Sequence, residues 1–153
     1  MEKELIKELY DSIILEHSRH PRNFGKINNA LQQKGKNSSC GDEIEIFLKL
    51  NNDEIEKVSF EGSGCAICMS SCSLMMNFAS NYNIYEMQEL IDNFIKFITQ
   101  DNFVLPDKYE PLHIYQTIHH FPSRVKCVLL PWRTIEHLLK YKKEMTTINT
   151  EQL

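Results

Sequence analysis

Residues 40–65 read CGDEIEIFLKLNNDEIEKVSFEGSGC, and this stretch decides the fold. Apolar side chains at alternate positions from Ile44 to Leu50 are typical of a strand with one buried face. The polar triplet at 51–53 then turns the chain into a second apolar run over residues 55–60. The stretch therefore predicts a β-hairpin with a cysteine at each end, and we expect a third strand in the segment before it.

Helical patterns lie on both sides of this hairpin. Apolar residues at helical spacing extend from Leu5 to Ile14, and Pro21 ends the pattern. After the hairpin, residues 66–80 are rich in Ala, Met, Leu and Ser without a breaker, which favours a helix that begins beside Cys65. These segments predict one helix before the sheet and one directly after it.

Two more helices are predicted in the second half of the chain. Apolar residues from Tyr85 to Ile98 recur at helical spacing, and a less regular stretch with two prolines follows. Pro122 precedes a last helix, which should bury Val125, Leu129, Trp132, Ile135 and Leu139. The predicted fold class is α+β, a small three-stranded antiparallel sheet packed against about four to six helices.

Length and charge set further bounds. The 153 residues fit one domain, which we expect to span residues 1–141 with a polar, frayed C-terminal tail at 142–153. The chain has no run of about 18 apolar residues and no secretory pattern, so we expect a cytoplasmic protein with no membrane partner. The net charge of −4 gives no basic footprint for nucleic acid, which is therefore not an expected partner.

Three thiols lie in short islands flanked by glycine or by charge. Cys40 is followed by a glycine and Asp42, Cys65 closes a Gly-Ser-Gly turn, and Cys127 follows closely after Arg124. The predicted elements allow these loop-like ends to converge, and three thiolates with one carboxylate complete a tetrahedral shell for Zn²⁺. Such a shell carries a net charge of about −2 by counting ligand charges, and a basic neighbour would offset it.

Cysteine is also a common buried core residue, and this alternative applies unequally to the three positions. A cysteine in a Gly-Ser-Gly-Cys loop or directly before Gly-Asp is poorly placed to fill a core, which favours the metal interpretation for Cys40 and Cys65. The position of Cys127, taken alone, does not favour a ligand over a core residue.

Several ordered motifs across the chain resemble those of a known family. They include Leu9-Tyr10, Glu16-His17, the run from Pro21 to Gly25, Cys40-Gly41-Asp42, the run from Phe60 to Ile67, and Arg124-Val125-Lys126-Cys127 followed by Leu130 and Trp132. This set resembles the SufU-type iron-sulfur cluster assembly proteins, within the IscU and NifU N-terminal superfamily. The resemblance spans nearly the whole domain.

The resemblance implies a ligand set and a role for each member. It makes Cys40, Asp42, Cys65 and Cys127 the metal ligands, and the three cysteines the ligands of an iron-sulfur cluster if one is bound. It makes Cys40 the acceptor of sulfur from a SufS-like cysteine desulfurase, and Arg124 a supporting residue. Downstream iron-sulfur assembly proteins are the other partners that it implies.

Two departures from the IscU branch favour the SufU branch. IscU-type chains have a histidine directly before the third cysteine, where this chain has Lys126, and a shorter connection than residues 102–121 here. The SufU branch resembles a zinc-dependent sulfurtransferase that acts with a desulfurase, whereas the IscU branch resembles a scaffold for a transient [2Fe-2S] cluster. Our hypothesis is that Zn²⁺ keeps Cys40 as a thiolate and that a group from the desulfurase displaces it for attack on a persulfide.

Two other functions of the cysteines stay open at this point. The spacing Cys65-x-x-Cys68 is used by thioredoxin-like oxidoreductases, although no βαβ pattern precedes it here. A structural zinc module would have a closed, inert shell of four ligands, and the carboxylate of Asp42 argues mildly against that. A zinc deaminase is weaker, because its His-x-Glu element is absent.

The remaining cysteines and histidines are expected to be structural. Cys68 and Cys72 lie on one face of the predicted helix and should be buried, with a role for Cys68 as a spare sulfur carrier or replacement ligand left open. His119 and His120 match no ligand spacing, so we expect surface or core positions for them. At the end of the first helix, His17 and His20 should carry a positive charge that favours the helix dipole.

Overall fold

A computed structural model of the chain describes residues 2–142 and 147–149. In this part of the chain, one helix precedes three consecutive strands, and three more helices and a short fourth strand follow them. The helices are α1 (Glu2–Arg19), α2 (Ala66–Ala79), α3 (Ile84–Thr99) and α4 (Pro122–Tyr141), with two 3-10 segments at Asp107–Tyr115 and Ile118–His120. The strands are β1 (Leu31–Asn37), β2 (Asp42–Asn51), β3 (Glu54–Ser63) and β4 (Thr147–Asn149).

The predicted hairpin forms the β2 and β3 strands of the sheet, whose order is β3-β2-β1-β4. Both β1 and β3 pair antiparallel with β2, and the register places Ile46 opposite Phe60. Asn52 turns the hairpin with a φ of 56°, a left-handed conformation that asparagine tolerates. The α+β fold class and the three antiparallel strands are confirmed.

A fourth strand was not predicted. The short β4 lies parallel to β1, with Ile148 beside Gly35, and Ile148 is buried. Three residues within a polar segment are too few for an alternating pattern, so the sequence carried no signal for this strand. The other residues of the expected C-terminal tail, 143–146 and 150–153, lie outside the described residues.

Helices α2 and α4 are locked together at the centre of the core. Trp132 of α4 is fully buried, and its ring lies 4.4 Å from that of Phe94 in α3. Its Nε1 donates to Ser71 Oγ of α2 at 2.8 Å, and Ser71 Oγ donates to the Val128 carbonyl at 2.7 Å. These bonds fix how far α4 is shifted along α2, and therefore where the first turns of both helices lie.

The buried faces of two helices differ from what the apolar pattern suggests, and the expected burial of Val125 was wrong. In α1, Leu5 and Leu9 are more than half exposed, because only the C-terminal half of the helix, around Ile14, packs against α2. In α4, Val125 is only partly buried, whereas Cys127 is fully buried. The start of α4 faces the loop before β2 rather than the core, which explains this second difference.

His17 is structural, but the predicted reason was wrong. Its side chain is buried, and its Nδ1 lies 2.7 Å from Ser73 Oγ of α2. Burial, reinforced by the positive charge of Arg22, lowers the pKa of His17, so the neutral imidazole is the favoured form. The histidine is held by a hydrogen bond between helices rather than by the dipole of its own helix.

Candidate metal centre

The three thiol islands converge at one end of the sheet. Cys40 lies on the loop between β1 and β2, and Asp42 is the first residue of β2. Cys65 is the N-cap of α2, and Cys127 lies in the second turn of α4. Four side chains from three separate parts of the chain are therefore brought to the same end of the sheet, with Cys65 beside the other three.

A compact group of ligand atoms forms the centre of this region. One ligand atom each from Cys40, Asp42 and Cys127 lies within 4.8 Å of the other two. The sulfurs of Cys40 and Cys127 are 3.1 Å apart. Asp42 and Cys127 are fully buried, whereas Cys40 is half-buried at the rim. The arrangement exposes one thiol and encloses the two ligands behind it.

Cys65 lies beside this group rather than inside it. Its Sγ is 4.0 Å from Asp42 Oδ2, and it accepts a hydrogen bond from the Cys68 backbone N–H at 3.5 Å. The sulfur thus caps its own helix, and it lies next to the Asp42 carboxylate at the edge of the group.

Two glycines are needed to shape the site. Gly41 has a φ of 70°, a conformation that glycine adopts without strain, and this turn aims Cys40 and Asp42 at one point. At Gly64 a Cβ would lie 2.6 Å from Asp42 Oδ1. The missing side chain lets the loop pass over the carboxylate, whose Oδ1 accepts the Cys65 N–H at 2.9 Å.

Burial at the centre favours the protonated form of the Cys127 thiol, and a positively charged side chain lies at the rim of the site. Burial, together with hydrogen bonds to Cys40 and Asp42, raises the pKa of Cys127. Arg124 lies one turn earlier on α4, and its hydrogen bond to Cys127 raises the pKa of the guanidinium. Arg124, which the sequence analysis named as a supporting residue, thus places a permanent positive charge at the rim of the site. It offsets the anion that the ligands form once they lose their protons.

The donor set fits a soft or borderline metal. Three thiols and one carboxylate are ligands of structural and catalytic zinc sites, and thiolates also hold iron-sulfur clusters. The close grouping of Cys40, Asp42 and Cys127, with Cys65 adjacent to Asp42, is a suitable geometry for either. The chain therefore holds a candidate metal site.

The other thiols and histidines lie apart from this site. Cys68 and Cys72 are fully buried in the core, as predicted, and a hydrogen bond between them with the burial raises the pKa of Cys68. His119 Nε2 lies 3.9 Å from an Asp101 carboxylate oxygen, and the His119 and His120 rings are 4.0 Å apart. Within the described residues, none of these side chains joins the grouped ligands.

One residue of the site was missed by the sequence reasoning. Asn37, at the end of β1, is fully buried, and its Nδ2 lies 3.4 Å from Asp42 Oδ2 and 3.5 Å from Cys127 Sγ. The only signal was its place at the end of the predicted third strand, close before Cys40. From sequence alone, an asparagine at this position predicts a turn, and only the strand register shows that it faces Asp42.

Residues 9–127 match the profile of the NifU-like N terminal domain, which covers every proposed ligand. The chain belongs to this family. Among curated relatives, the iron-sulfur cluster assembly scaffold protein IscU of Thermotoga maritima is 34% identical over 137 residues, which are 89% of this chain and 96% of the relative. The chain thus belongs with the iron-sulfur cluster assembly proteins of this family, and its candidate site of cysteines and an aspartate lies within the matched residues.

Two further members of the family bear on the subtype. The zinc-dependent sulfurtransferase SufU of Bacillus subtilis is 32% identical over 131 residues, or 84% of this chain and 87% of the relative. A solved iron-sulfur cluster assembly scaffold protein for the SUF system, from Fervidobacterium islandicum AW-1, is 33% identical with a TM-score of 0.78. The alignment covers 83% of this chain and 93% of that one. Identities this similar do not separate the SufU and IscU branches.

Among the described residues, no helix is both long and apolar enough to span a membrane.

Proposed function

We propose that this NifU-like protein is a zinc-dependent sulfur acceptor of the SufU type. In this proposal Cys40 takes sulfur from a persulfide on a cysteine desulfurase and passes it to downstream iron-sulfur assembly proteins. The observation that carries the proposal is the unequal burial of the two adjacent sulfurs. Cys40 is half-buried at the rim, and Cys127 is fully buried 3.1 Å behind it.

Cys40, Asp42, Cys65 and Cys127 would hold the metal. A bound Zn²⁺ supplies Lewis acidity that keeps its thiol ligands deprotonated near neutral pH. The buried pair of Asp42 and Cys127 anchors the site on two rigid elements, β2 and α4. Cys40 is carried by a loop, so it is the ligand that can move outward at the smallest structural cost.

The transfer step is a thiol–persulfide exchange. The Cys40 thiolate attacks the outer sulfur of the desulfurase persulfide, so that a new bond forms between Cys40 Sγ and that sulfur while the old S–S bond breaks. The desulfurase cysteine leaves as a thiolate, and Cys40 becomes the persulfide. Atoms, charge and electrons balance without an external oxidant or reductant.

Arg124 supports this exchange from the rim. Its guanidinium is exposed and lies near the cysteine sulfurs, where it attracts an incoming anionic persulfide. It also offsets negative charge on Cys40 when that thiolate leaves its resting position. Arginine suits this role because it stays charged at all physiological pH values.

Scaffolding of a transient [2Fe-2S] cluster is the second candidate. The same three cysteines and the 34% identity to a scaffold-type relative favour it. Against it, Lys126 is exposed and occupies the position of the scaffold-type histidine, so it adds no ligand to Cys40, Asp42, Cys65 and Cys127. This difference places zinc-dependent transfer ahead of scaffolding in our proposal.

Metal analysis joined to a desulfurase assay tests the choice between the two. The protein is purified with and without oxygen, its zinc and iron are measured, and its effect on the turnover of a SufS-like desulfurase is recorded. We expect about one tightly held zinc per chain, as for a four-ligand site, and faster desulfurase turnover. A labile, coloured iron-sulfur chromophore without stimulation would instead identify a scaffold.

A further inference from the structure

Asn37 is a fully buried amide that lies against the ligands and belongs to none of the roles assigned so far. The antiparallel register of β1 and β2 places it directly opposite Asp42. Its position is therefore set by strand pairing and not by a flexible loop. A side chain whose backbone is fixed by strand pairing can in turn fix the positions of the side chains that it contacts.

The amide touches two ligands that come from different elements. Asn37 Nδ2 lies 3.4 Å from Asp42 Oδ2 on β2 and 3.5 Å from Cys127 Sγ on α4. An amide nitrogen carries two N–H donors, one for each of these acceptors. The carboxylate oxygen of Asp42 and the sulfur of Cys127 can each accept one of these N–H groups, so a single side chain bridges β2 and α4 at the site.

The oxygen of the Asn37 amide has no such contacts. Asn37 Oδ1 is buried and has no hydrogen-bond partner among the described residues. A buried acceptor without a donor costs free energy, so burial of this side chain is not accounted for by folding alone. Turning the amide over would place Oδ1 against the Asp42 carboxylate, where two acceptors repel each other. The contacts to the ligands are what orient the side chain.

We propose that Asn37 is a positioning residue that clamps Asp42 and Cys127 in place as the fixed ligands of the metal. Cys40 lies on the loop, and its sulfur is contacted by Cys127 and, at 4.0 Å, by the Ser123 carbonyl oxygen. The clamp formed by Asn37 therefore holds the two buried ligands, whereas Cys40, the ligand that we propose to exchange, is held by other contacts. This inference deepens the proposed function and rests on its metal site.

The test measures metal binding by the isolated protein. Asn37→Ala removes the donors, and Asn37→Leu removes them while filling the space. The matched control is Gln33→Ala, because Gln33 is a buried amide on the same face of β1 and bonds to His137 instead of the site. Zinc affinity is measured by competition with a chelator, and Co²⁺ is substituted to record its absorption spectrum. Thermal unfolding of each metal-free variant reports on the fold.

We expect both Asn37 variants to lose about 10- to 100-fold in zinc affinity and to shift the thiolate-to-Co²⁺ absorption bands, as loss of an outer-shell partner does. Gln33→Ala should keep the wild-type spectrum. Wild-type affinity and spectrum in either folded Asn37 variant would overturn the proposal, as would an equal loss in Gln33→Ala. If both Asn37 variants fail to fold while Gln33→Ala folds, Asn37 serves the fold and the proposal is wrong.

The result of the Asn37 test can be distinguished from the result of a test of sulfur transfer. No desulfurase is present in the binding test, so a protein that fails to accept sulfur still reports on the clamp. Conversely, unchanged metal binding in the Asn37 variants leaves the reactivity of Cys40 to be decided by sulfur transfer itself.

Discussion

Cys40 and Cys127 have sulfurs 3.1 Å apart, yet their surroundings give them different chemistry. Cys127 is enclosed by α4, Asn37 and Asp42, which is why we propose it as a fixed ligand. Cys40 is half-buried on a loop that turns at Gly41, so it can reach a partner. At the scale of single residues, burial and backbone support are the reasons for which we propose Cys127 as the anchor and Cys40 as the nucleophile.

Gly64 gives a direct test of how Asp42 is held. In Gly64→Ala the new Cβ would lie 2.6 Å from Asp42 Oδ1, so the carboxylate or the loop must shift. We expect zinc affinity to fall by at least about tenfold and the unfolding free energy of the metal-free protein to fall by about 1–3 kcal/mol. Chelator competition and denaturant unfolding measure the two effects.

The control for that experiment is the neighbouring exposed residue. Ser63→Ala changes the last residue of β3, directly before Gly64, and only removes an exposed hydroxyl, so it should alter stability by less than about 0.5 kcal/mol. Wild-type zinc affinity in a folded Gly64→Ala protein would show that the close approach does not position Asp42.

At the scale of elements, the site depends on how α2 and α4 are joined. Cys65 caps α2 and Cys127 lies in the second turn of α4, so a shift between these helices moves the two sulfurs apart. Ser71 connects the helices through one bond donated to the Val128 carbonyl and one accepted from Trp132. The contact between α2 and α4 therefore determines how far apart the sulfurs of Cys65 and Cys127 lie.

Removal of that connection should be costly. In Ser71→Ala the buried Trp132 N–H and Val128 carbonyl lose a partner, and we expect unfolding free energy to fall by about 1–3 kcal/mol. Thr99→Ala, which removes an exposed hydroxyl at the end of α3, should cost much less. Equal stability of the two variants in urea unfolding would contradict the assigned role of Ser71.

The sequence predicted the elements better than it predicted their contacts. Strand alternation and helical spacing are local, so the hairpin from Ile44 to Phe60 and the helices around it were recovered from pattern alone. The exposed face of α1 at Leu5 and the short β4 were missed, because they depend on where distant segments pack. Asn37 was missed for the same reason, since only the strand register reveals that it faces Asp42.

At the scale of the whole molecule, one buried histidine links stability to pH. His17 joins α1 to α2 through Ser73, and burial lowers its pKa in the folded protein. The unfolded chain, with an ordinary value of about 6.5, therefore takes up a proton that the folded chain resists. This contribution to stability is full above about pH 6.5 and is lost as the pH falls below it.

A histidine substitution separates this effect from other acid effects. We expect the unfolding free energy of the wild type to fall between about pH 7 and pH 5, and His17→Gln to be less stable at pH 7 but flatter over that range. Ser12→Ala, which changes an exposed residue without an ionisable side chain on the same helix, should keep the wild-type slope. An unchanged slope in His17→Gln would assign the pH dependence to other groups.

Mapping of the accepted sulfur tests the central claim most directly. The zinc-loaded protein is incubated with a SufS-like desulfurase and cysteine, alkylated, and analysed by peptide mass spectrometry, alongside Cys40→Ala, Cys68→Ser and a zinc-stripped sample. We predict one added sulfur atom on Cys40 in the wild type and in Cys68→Ser, and little or none in the other two. Sulfur on Cys68 in place of Cys40, or equal acceptance by Cys40→Ala, would contradict the account.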